Sequence, residues 1–430
     1  MPLKMMPENV EQLNDTLARF AKEVRYAIDT HDYELAKDIL LTKVLKAAPN
    51  HPIALDDLAF VESKLNNHDV AYGHLMTALR YSVPNTPSEI YDSLAGVCAK
   101  MHRYEESRYY GRLSIRTKKI EVEKLNPQKM VIPNIIPPGL SSDKSKNIIS
   151  YSLFGCLPRY CETAVINTQL AKEIYPEWTC RFYIDETVPA EIVSRLRNNG
   201  AQVIYVDEEQ RKISGLFWRF YVFDDENVQC FVIRDADSLL SYKEKAAVDE
   251  WLKSGKWFHI MRDAYNHSEL ILAGMWGGYR GGLQNMQDIV KEHFAQIKVF
   301  NKTIDQVFLR QIIWPTVQQS VLVHDNFMLD PESKVYPEYS LSDLEKIPYF
   351  HIGMIDSGIK TTRFFIEHDD VRKVRWFLKD EQDKEVCSYV SDVEKDEKTG
   401  ESVIVLNLPY QYSMQINEGK WHFTFTILEK

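Results

Sequence analysis

The sequence predicts an α/β domain at residues 147–358, preceded by an all-α helical-repeat domain at 1–125 and a linker at 126–146, and followed by a small β-rich domain at 359–430. Three observations predict this order. Residues 10–118 carry helical periodicity in which small residues return roughly every 34 positions. From Asn147 onward, apolar runs of strand length alternate with helical patterns, which implies a mostly parallel sheet with helices on both faces. After Thr361 only short strand-like runs remain.

The first unit reads as stacked helical hairpins. Asp32-Tyr33-Glu34-Leu35-Ala36 is followed by Ala47-Ala48-Pro49-Asn50; Leu58-Ala59, Ala71 and Ala78 are closed by Val83-Pro84-Asn85; Leu94-Ala95, Tyr104 and Ser107 form a third copy. Small residues at these places let paired helices approach closely, and each Pro-Asn step ends a second helix. The pattern resembles tetratricopeptide repeats over about three units, without the large aromatic at that motif's early position; an unrelated helical bundle is the alternative.

The linker holds Pro127, Pro133, Pro137-Pro138-Gly139 and Ser141-Ser142-Asp143. Prolines lack the amide that a helix or ladder needs, so an extended segment separating two folding units is expected. Strands are expected at Ile148–Phe154, Cys180–Ile184, Gln202–Val206, Gln229–Ile233 and Trp257–Met261, with helices at Tyr160–Ile174, Ala190–Asn198, Trp218–Phe223 and Lys243–Leu252. In the last domain Arg375–Leu378, Ser402–Leu406 and Trp421–Ile427 read as strands, and Asp396–Gly400 as a polar turn.

Composition removes several function classes. At 430 residues and 44% hydrophobic, the chain has material for two or three cores. A net charge of -10 with no dominant Lys/Arg cluster disfavours a nucleic-acid surface. The first residues lack an apolar signal-like region and no run approaches the ~18 apolar residues of a membrane span, so a cytoplasmic protein without a transmembrane segment is expected. Six scattered cysteines without Cys-x-x-Cys pairing read as reduced core residues.

Phe231-Val232-Ile233-Arg234-Asp235-Ala236-Asp237-Ser238 is the most informative stretch, an apolar strand ending in two carboxylates separated by one small residue. Acids at i and i+2 where a strand runs out can converge on one hard cation, and that cation can hold a diphosphate. In an open α/β sheet, ligands bind outside the carboxyl ends of the strands.

With Tyr151-Ser152-Leu153-Phe154-Gly155, Arg234-Asp235-Ala236-Asp237-Ser238, Ala273-Gly274-Met275-Trp276-Gly277-Gly278, Asp305-Gln306 and His324-Asp325 in this order, the α/β domain resembles nucleotide-sugar-dependent glycosyltransferases of the GT-A fold, a Rossmann-like mixed sheet. It is most similar to the retaining family-eight enzymes. Two departures are visible: Asp305-Gln306 is not followed by a second Asp, and His324 is not followed by a Gly and Lys-Pro-Trp signature. Stereochemistry stays open.

The resemblance implies a metal-dependent transfer. Asp235 and Asp237 would hold a divalent ion, with His324 completing the sphere and His351 as a rival; an imidazole ligand tilts the preference toward Mn2+ over Mg2+. Ser152, Gly155 and Asp185 would face the base and ribose, and Arg219 a phosphate. Gly274 and Gly277 would leave room for the sugar, with Trp276 as a stacking plane. Asp305 and Gln306 would orient the donor in a retaining reaction; in an inverting one Asp263 or Asp305 would act as general base.

The expected partners are a nucleotide-sugar donor, most simply a UDP-sugar, and a glycan, lipid-linked glycan or protein acceptor, with the helical repeats serving recognition. Two rival readings are a helical-repeat scaffold with an inactive transferase-like domain, and a sugar-nucleotide nucleotidyltransferase or hydrolase. The latter usually carries a basic Gly-rich loop after its first strand, which Ser152-Leu153-Phe154-Gly155 lacks.

Overall fold

The computed structural model describes residues 7–297, 303–342, 344–347, 350–354, 361–366, 370–396 and 399–429. The expected boundary at 358/359 lies outside them. The N-terminal unit pairs helices Pro7–Asp29 with Tyr33–Ile39, Pro52–Lys64 with His68–Ser82, and Ser88–Lys100 with Tyr104–Lys124. Each hairpin turns in the same way. His31, Asn66 and His102 stand at φ 62°, 64° and 57°. The next amides, of Asp32, Asn67 and Arg103, then reach back to the carbonyls of Ala27, Glu62 and Cys98 at 2.8, 2.9 and 2.8 Å, the bond that closes a helix end. Ala36, Ala71 and Ser107 are all fully buried where paired helices meet, as their small size requires.

Residues 147–325 build one seven-stranded sheet from β1 (Asn147–Leu153), β2 (Thr179–Ile184), β3 (Gln202–Tyr205), β4 (Cys230–Arg234), β5 (Phe258–Arg262), β6 (Met275–Tyr279) and β7 (Val321–Asp325). Its order is β3-β2-β1-β4-β6-β5-β7. All neighbours are parallel except β6, which runs antiparallel between β4 and β5. The reading of Gly277 as room for a sugar and of Trp276 as a stacking plane is therefore corrected: both lie inside a buried strand. A Cβ on Gly277 would stand 2.6 Å from the carbonyl oxygen of Phe231, so glycine is what lets β6 lie against β4. Because β6 is reversed, its first residues share an edge with the carboxyl ends of the others. Asp185, Gly155, Asp235, Gly274, Asp263 and Asn326 follow one another along that edge.

The proline-rich segment is not a loose spacer. Met130 donates its amide to Thr316 Oγ1 at 3.0 Å, Trp257 Nε1 donates to the Ile135 carbonyl at 3.1 Å, and Gln229 Nε2 to the Gly139 carbonyl at 2.9 Å. Met130, Ile132 and Leu140 pack on the main core, which also takes Ile115 and Val122 from the last repeat helix. That helix is docked through a buried cation: Lys118, 2% exposed, donates to Asp92 and to the Ser268 carbonyl at 2.9 Å and faces Glu269 at 3.7 Å. Ser268 Oγ also donates to Asp92, Tyr104 stacks on Tyr265 at 5.1 Å, and Lys119 pairs with Asp330 at 2.8 Å. The last repeat helix thus meets the loop between β5 and β6 and the segment after β7.

The C-terminal region forms two three-stranded sheets from β8 (Thr361–Ile366), β9 (Lys373–Lys379), β10 (Glu385–Asp392), β11 (Glu394–Lys395), β12 (Ser402–Asn407) and β13 (His422–Glu429), ordered β10-β9-β13 and β11-β12-β8. It is anchored on helix Pro158–Ile174 by Glu162. This fully buried acid accepts from Tyr389 at 2.6 Å and Tyr412 at 2.9 Å and pairs with both Nη atoms of Arg195 at 2.9 and 2.8 Å. Four donors satisfy a charge that would otherwise be costly to bury.

Candidate functional site

The chain order of the sheet reverses at β1: β2 and β3 lie on one side of it, β4 on the other. The crevice between the carboxyl ends of β1 and β4 is therefore the switch point where ligands bind in open α/β sheets. Asp235 and Asp237 follow β4 there. Ser150 and Ser152, two residues apart and so on one face of β1, clamp the backbone of Arg219 on both sides of its Cα. Ser150 Oγ donates to the Arg219 carbonyl at 2.8 Å, and the Arg219 amide donates to Ser152 Oγ at 2.9 Å. The expected role of Ser152 toward a base is replaced by this positioning bond.

Arg219 itself, 4% exposed on the 3-10 segment Gly215–Asp224, bridges two acids. Its Nη1 pairs with Asp235 Oδ1 and its Nη2 with Asp305 Oδ2 at 2.7 Å. Burial works against the guanidinium, yet the two carboxylates raise its pKa further. Asp305 is 3% exposed, and burial pushes its carboxyl up while Arg219 pulls it down. It is not the helix cap: Thr303 holds the cap position of Ile304–Phe308, and Asp305 Oδ1 accepts the amide of Gln306 at 3.0 Å. The structure thus brings Asp305, distant in sequence, to the acid pair.

The second acid has its own arginine. Arg159, in the first turn of helix Pro158–Ile174, places Nε 3.0 Å from Asp237 Oδ2, with Nη2 on the same oxygen. Burial and the charge of Asp235 raise the Asp237 carboxyl, and Arg159 opposes them. Sequence reasoning missed this residue, although Pro158 marks a helix start directly after β1 and so puts Arg159 at the switch point. Each acid of the pair commits one oxygen to a guanidinium, and among the described residues Asp235 Oδ2 and Asp237 Oδ1 take no side-chain partner. Asp235 Oδ2 lies against Gly274, where a Cβ would stand 1.9 Å from it. Gly274 makes room for the carboxylate.

Three expected site residues are placed elsewhere. His324 is fully buried on β7, three strands from β4, with Nδ1 2.8 Å from His259 Nε2 and Nε2 2.8 Å from Glu250 Oε2. Burial lowers its pKa, against the pull of Glu250. It does not join the acid pair, and among the described residues no group of three or more His, Cys, Asp or Glu side chains stands together as a metal cluster. Trp276 is fully buried against Phe220 and Phe223, with no face for a sugar. Asp263, 3% exposed, is engaged on both oxygens: Oδ1 takes Lys243 Nζ and Asn326 Nδ2 at 2.6 Å each, and Oδ2 takes the Ile352 amide at 2.9 Å. This buried acid ties three segments together. The rival His351 instead faces His267, with ring centroids 5.4 Å apart, beside Asp263.

An open cavity of about 550 Å³ flanks the crevice on the β2 side, lined by Phe154, Gly155, Asp185, Thr187, Arg211 and Trp218 among others. Gly155 takes φ 76°, which a side chain would strain. Its amide donates to Thr187 Oγ1 at 2.6 Å, and Asp185 Oδ1 accepts the Thr187 amide at 3.1 Å. The larger cavity, about 830 Å³, lies between linker residues 127–131 and Gly281–Asn285, past the far end of β6 and away from the acids.

No family model and no curated protein matches the chain. Among solved structures, partial likenesses include the Sgt2 TPR domain from Aspergillus fumigatus, 19% identical over 31% of this chain and 93% of that chain, TM-score 0.23. Others are an O-GlcNAc transferase variant from Thermobaculum terrenum, 13% identical over 52% of this chain and 51% of that chain, TM-score 0.26, and the mannosyltransferase Ktr4p from S. cerevisiae in complex with GDP, 12% identical over 36% and 50%, TM-score 0.21. The chain thus spans about half the length of these two transferases. Likenesses at these scores are too slight to bear on the chemistry of the crevice. Among the described residues no helix is long and apolar enough to cross a membrane.

Proposed function

We propose that this chain is a glycosyltransferase that binds a nucleotide-sugar donor in the crevice between β1 and β4. The observation that carries the reading is the convergence of Asp235, Asp237 and Asp305 on that switch point, held there by Arg219 and Arg159 beside an open cavity. Phe154 and Trp218, with Gly155 and Asp185, would receive the base and ribose. The diphosphate would lie over the acid pair, and Asp305, fixed by Arg219, would orient the donor sugar.

Asp235 Oδ2 and Asp237 Oδ1 would hold a hard divalent cation, with phosphate and water as its other ligands. Bound there, such an ion neutralises the charge that gathers on the departing diphosphate. With His324 elsewhere, the expected preference for Mn2+ over Mg2+ loses its imidazole basis. The acceptor, a glycan, lipid-linked glycan or protein, would approach from the side of Asp263 and the docked repeats.

Calorimetry with UDP, GDP and CDP, each with Mg2+, with Mn2+ and with chelator, followed by assay of the matching nucleotide sugars for sugar release, tests this reading. Binding that weakens on chelation and in Asp237→Asn is expected. If none of the nucleotides binds at millimolar concentration in the presence of either cation, the proposal fails.

A further inference from the structure

The crevice holds three carboxylates, Asp235, Asp237 and Asp305, against two guanidiniums, Arg159 and Arg219. The two arginines are not equivalent. Arg219 is enclosed, and both its Nη atoms are spent on Asp235, Asp305 and the Arg234 carbonyl. Arg159 keeps a quarter of its side chain exposed, 26%, and spends only Nε and Nη2, both on one oxygen of Asp237. Its Nη1 makes no hydrogen bond among the described residues. A guanidinium has five N–H donors in a fixed fork, so spending Nε and Nη2 on one carboxylate oxygen leaves the Nη1 donors for a second acceptor. They start from the first turn of a 17-residue helix, whose positive end favours an anion in the same place.

Resting on the donor site proposed above, we infer that Arg159 is a direct ligand of the donor diphosphate. Its Nη1 donates to a phosphoryl oxygen while Nε and Nη2 keep Asp237 oriented. The ligand class is a nucleoside diphosphate, and the nucleoside portion lies outside the reach of this residue. Arg159 therefore ties the position of the diphosphate to that of the acid pair beneath it.

A purely structural arginine makes the opposite prediction in sign. If Arg159 only neutralised Asp237, its removal would leave a more negative acid pair, stronger cation binding, and equal or tighter binding of UDP in Mg2+. If it is a phosphate ligand, Arg159→Gln weakens the nucleoside diphosphate by roughly 10- to 100-fold, the scale of one charged hydrogen bond. The nucleoside alone should bind within about twofold of wild type by the same accounting. Arg159→Lys, which keeps the charge and is the second variant should the glutamine chain misfold, should recover part of the loss, because an ammonium cannot hold Asp237 and a phosphate in the fork geometry.

Calorimetry of both variants with UDP, GDP, uridine and guanosine in Mg2+ reads these outcomes. Unchanged or tighter diphosphate binding in Arg159→Gln overturns the inference while leaving the donor site standing. An equal loss for nucleoside and diphosphate overturns it too, since the effect would then be on the fold of the crevice. Absence of nucleoside diphosphate binding in the wild-type chain removes both the inference and the site it rests on.

Discussion

Replacing Gly274 with alanine tests the geometry of the acid pair directly. The new Cβ would lie 1.9 Å from Asp235 Oδ2, 2.5 Å from its Cγ and 3.0 Å from its backbone nitrogen. An ordinary contact needs about 3.5 Å, so the carboxylate has to swing away by well over 1 Å. It cannot do so and keep Arg219, whose Nη1 holds Asp235 Oδ1. The backbone cannot yield cheaply either, because Arg234 and Met275, the next residues inward, are paired partners in the β4–β6 ladder. Overpacking of this kind costs about 1–3 kcal/mol.

Gly96→Ala provides the control of opposite sign. Gly96 lies in helix Ser88–Lys100 with nothing within 4 Å of its added Cβ, so the same chemical change should stabilise by about 0.5–1 kcal/mol through helix propensity. Urea unfolding followed by tryptophan fluorescence would compare the two variants, and calorimetry with the nucleotide that binds wild type would follow the crevice. The expected result is a lower midpoint for Gly274→Ala, a raised or unchanged one for Gly96→Ala, and weakened nucleotide binding in the first only. A Gly274→Ala chain as stable as Gly96→Ala, with wild-type affinity, would refute the placement of Asp235 against β6.

Two further perturbations address the repeat domain. Lys118→Met should lower stability by about 3 kcal/mol, because it strips the buried partner from Asp92 and Glu269 at the repeat interface; an unchanged urea midpoint would show that the interface does not rely on this cation. Burial raises the Asp56 carboxyl to about 7 from 3.8, and among the described residues its Oδ1 has no partner. An acid raised in the folded state supplies stability that is complete below pH 3.8 and lost as pH climbs through 7. Asp56→Asn should therefore match wild type near pH 4 and exceed it at pH 8, by at most about 4 kcal/mol; a stability gap independent of pH would contradict the buried carboxyl.

Much of this architecture was legible in the chain because it is encoded locally. The small residues Ala36, Ala71 and Ser107 mark where paired helices touch, since helix contact depends on side-chain size at a fixed spacing. The apolar runs that became β1, β2, β4 and β5 were visible because each is short, bounded and buried on both faces. Asp235 and Asp237 could be placed at a strand end for the same reason. What local pattern could not convey is which segments meet. β6 was hidden because Gly277 and Gly278 carry no strand signal of their own; they are glycines only because Phe231 and Phe258 press on them from neighbouring strands.

Roles within the site were decided the same way, by partners remote in sequence. Lys243, Asn326 and Ile352 converge on Asp263 and engage both its oxygens, and Glu250 and His259 claim His324. Asp305 and Asp237 instead arrive beside arginines from other elements. The residue types and strand ends were set by the sequence alone. Whether each carboxylate was tied off or left with an oxygen to offer depended on packing, because hydrogen-bond saturation is a property of the assembled neighbourhood and leaves no trace in the order of residues.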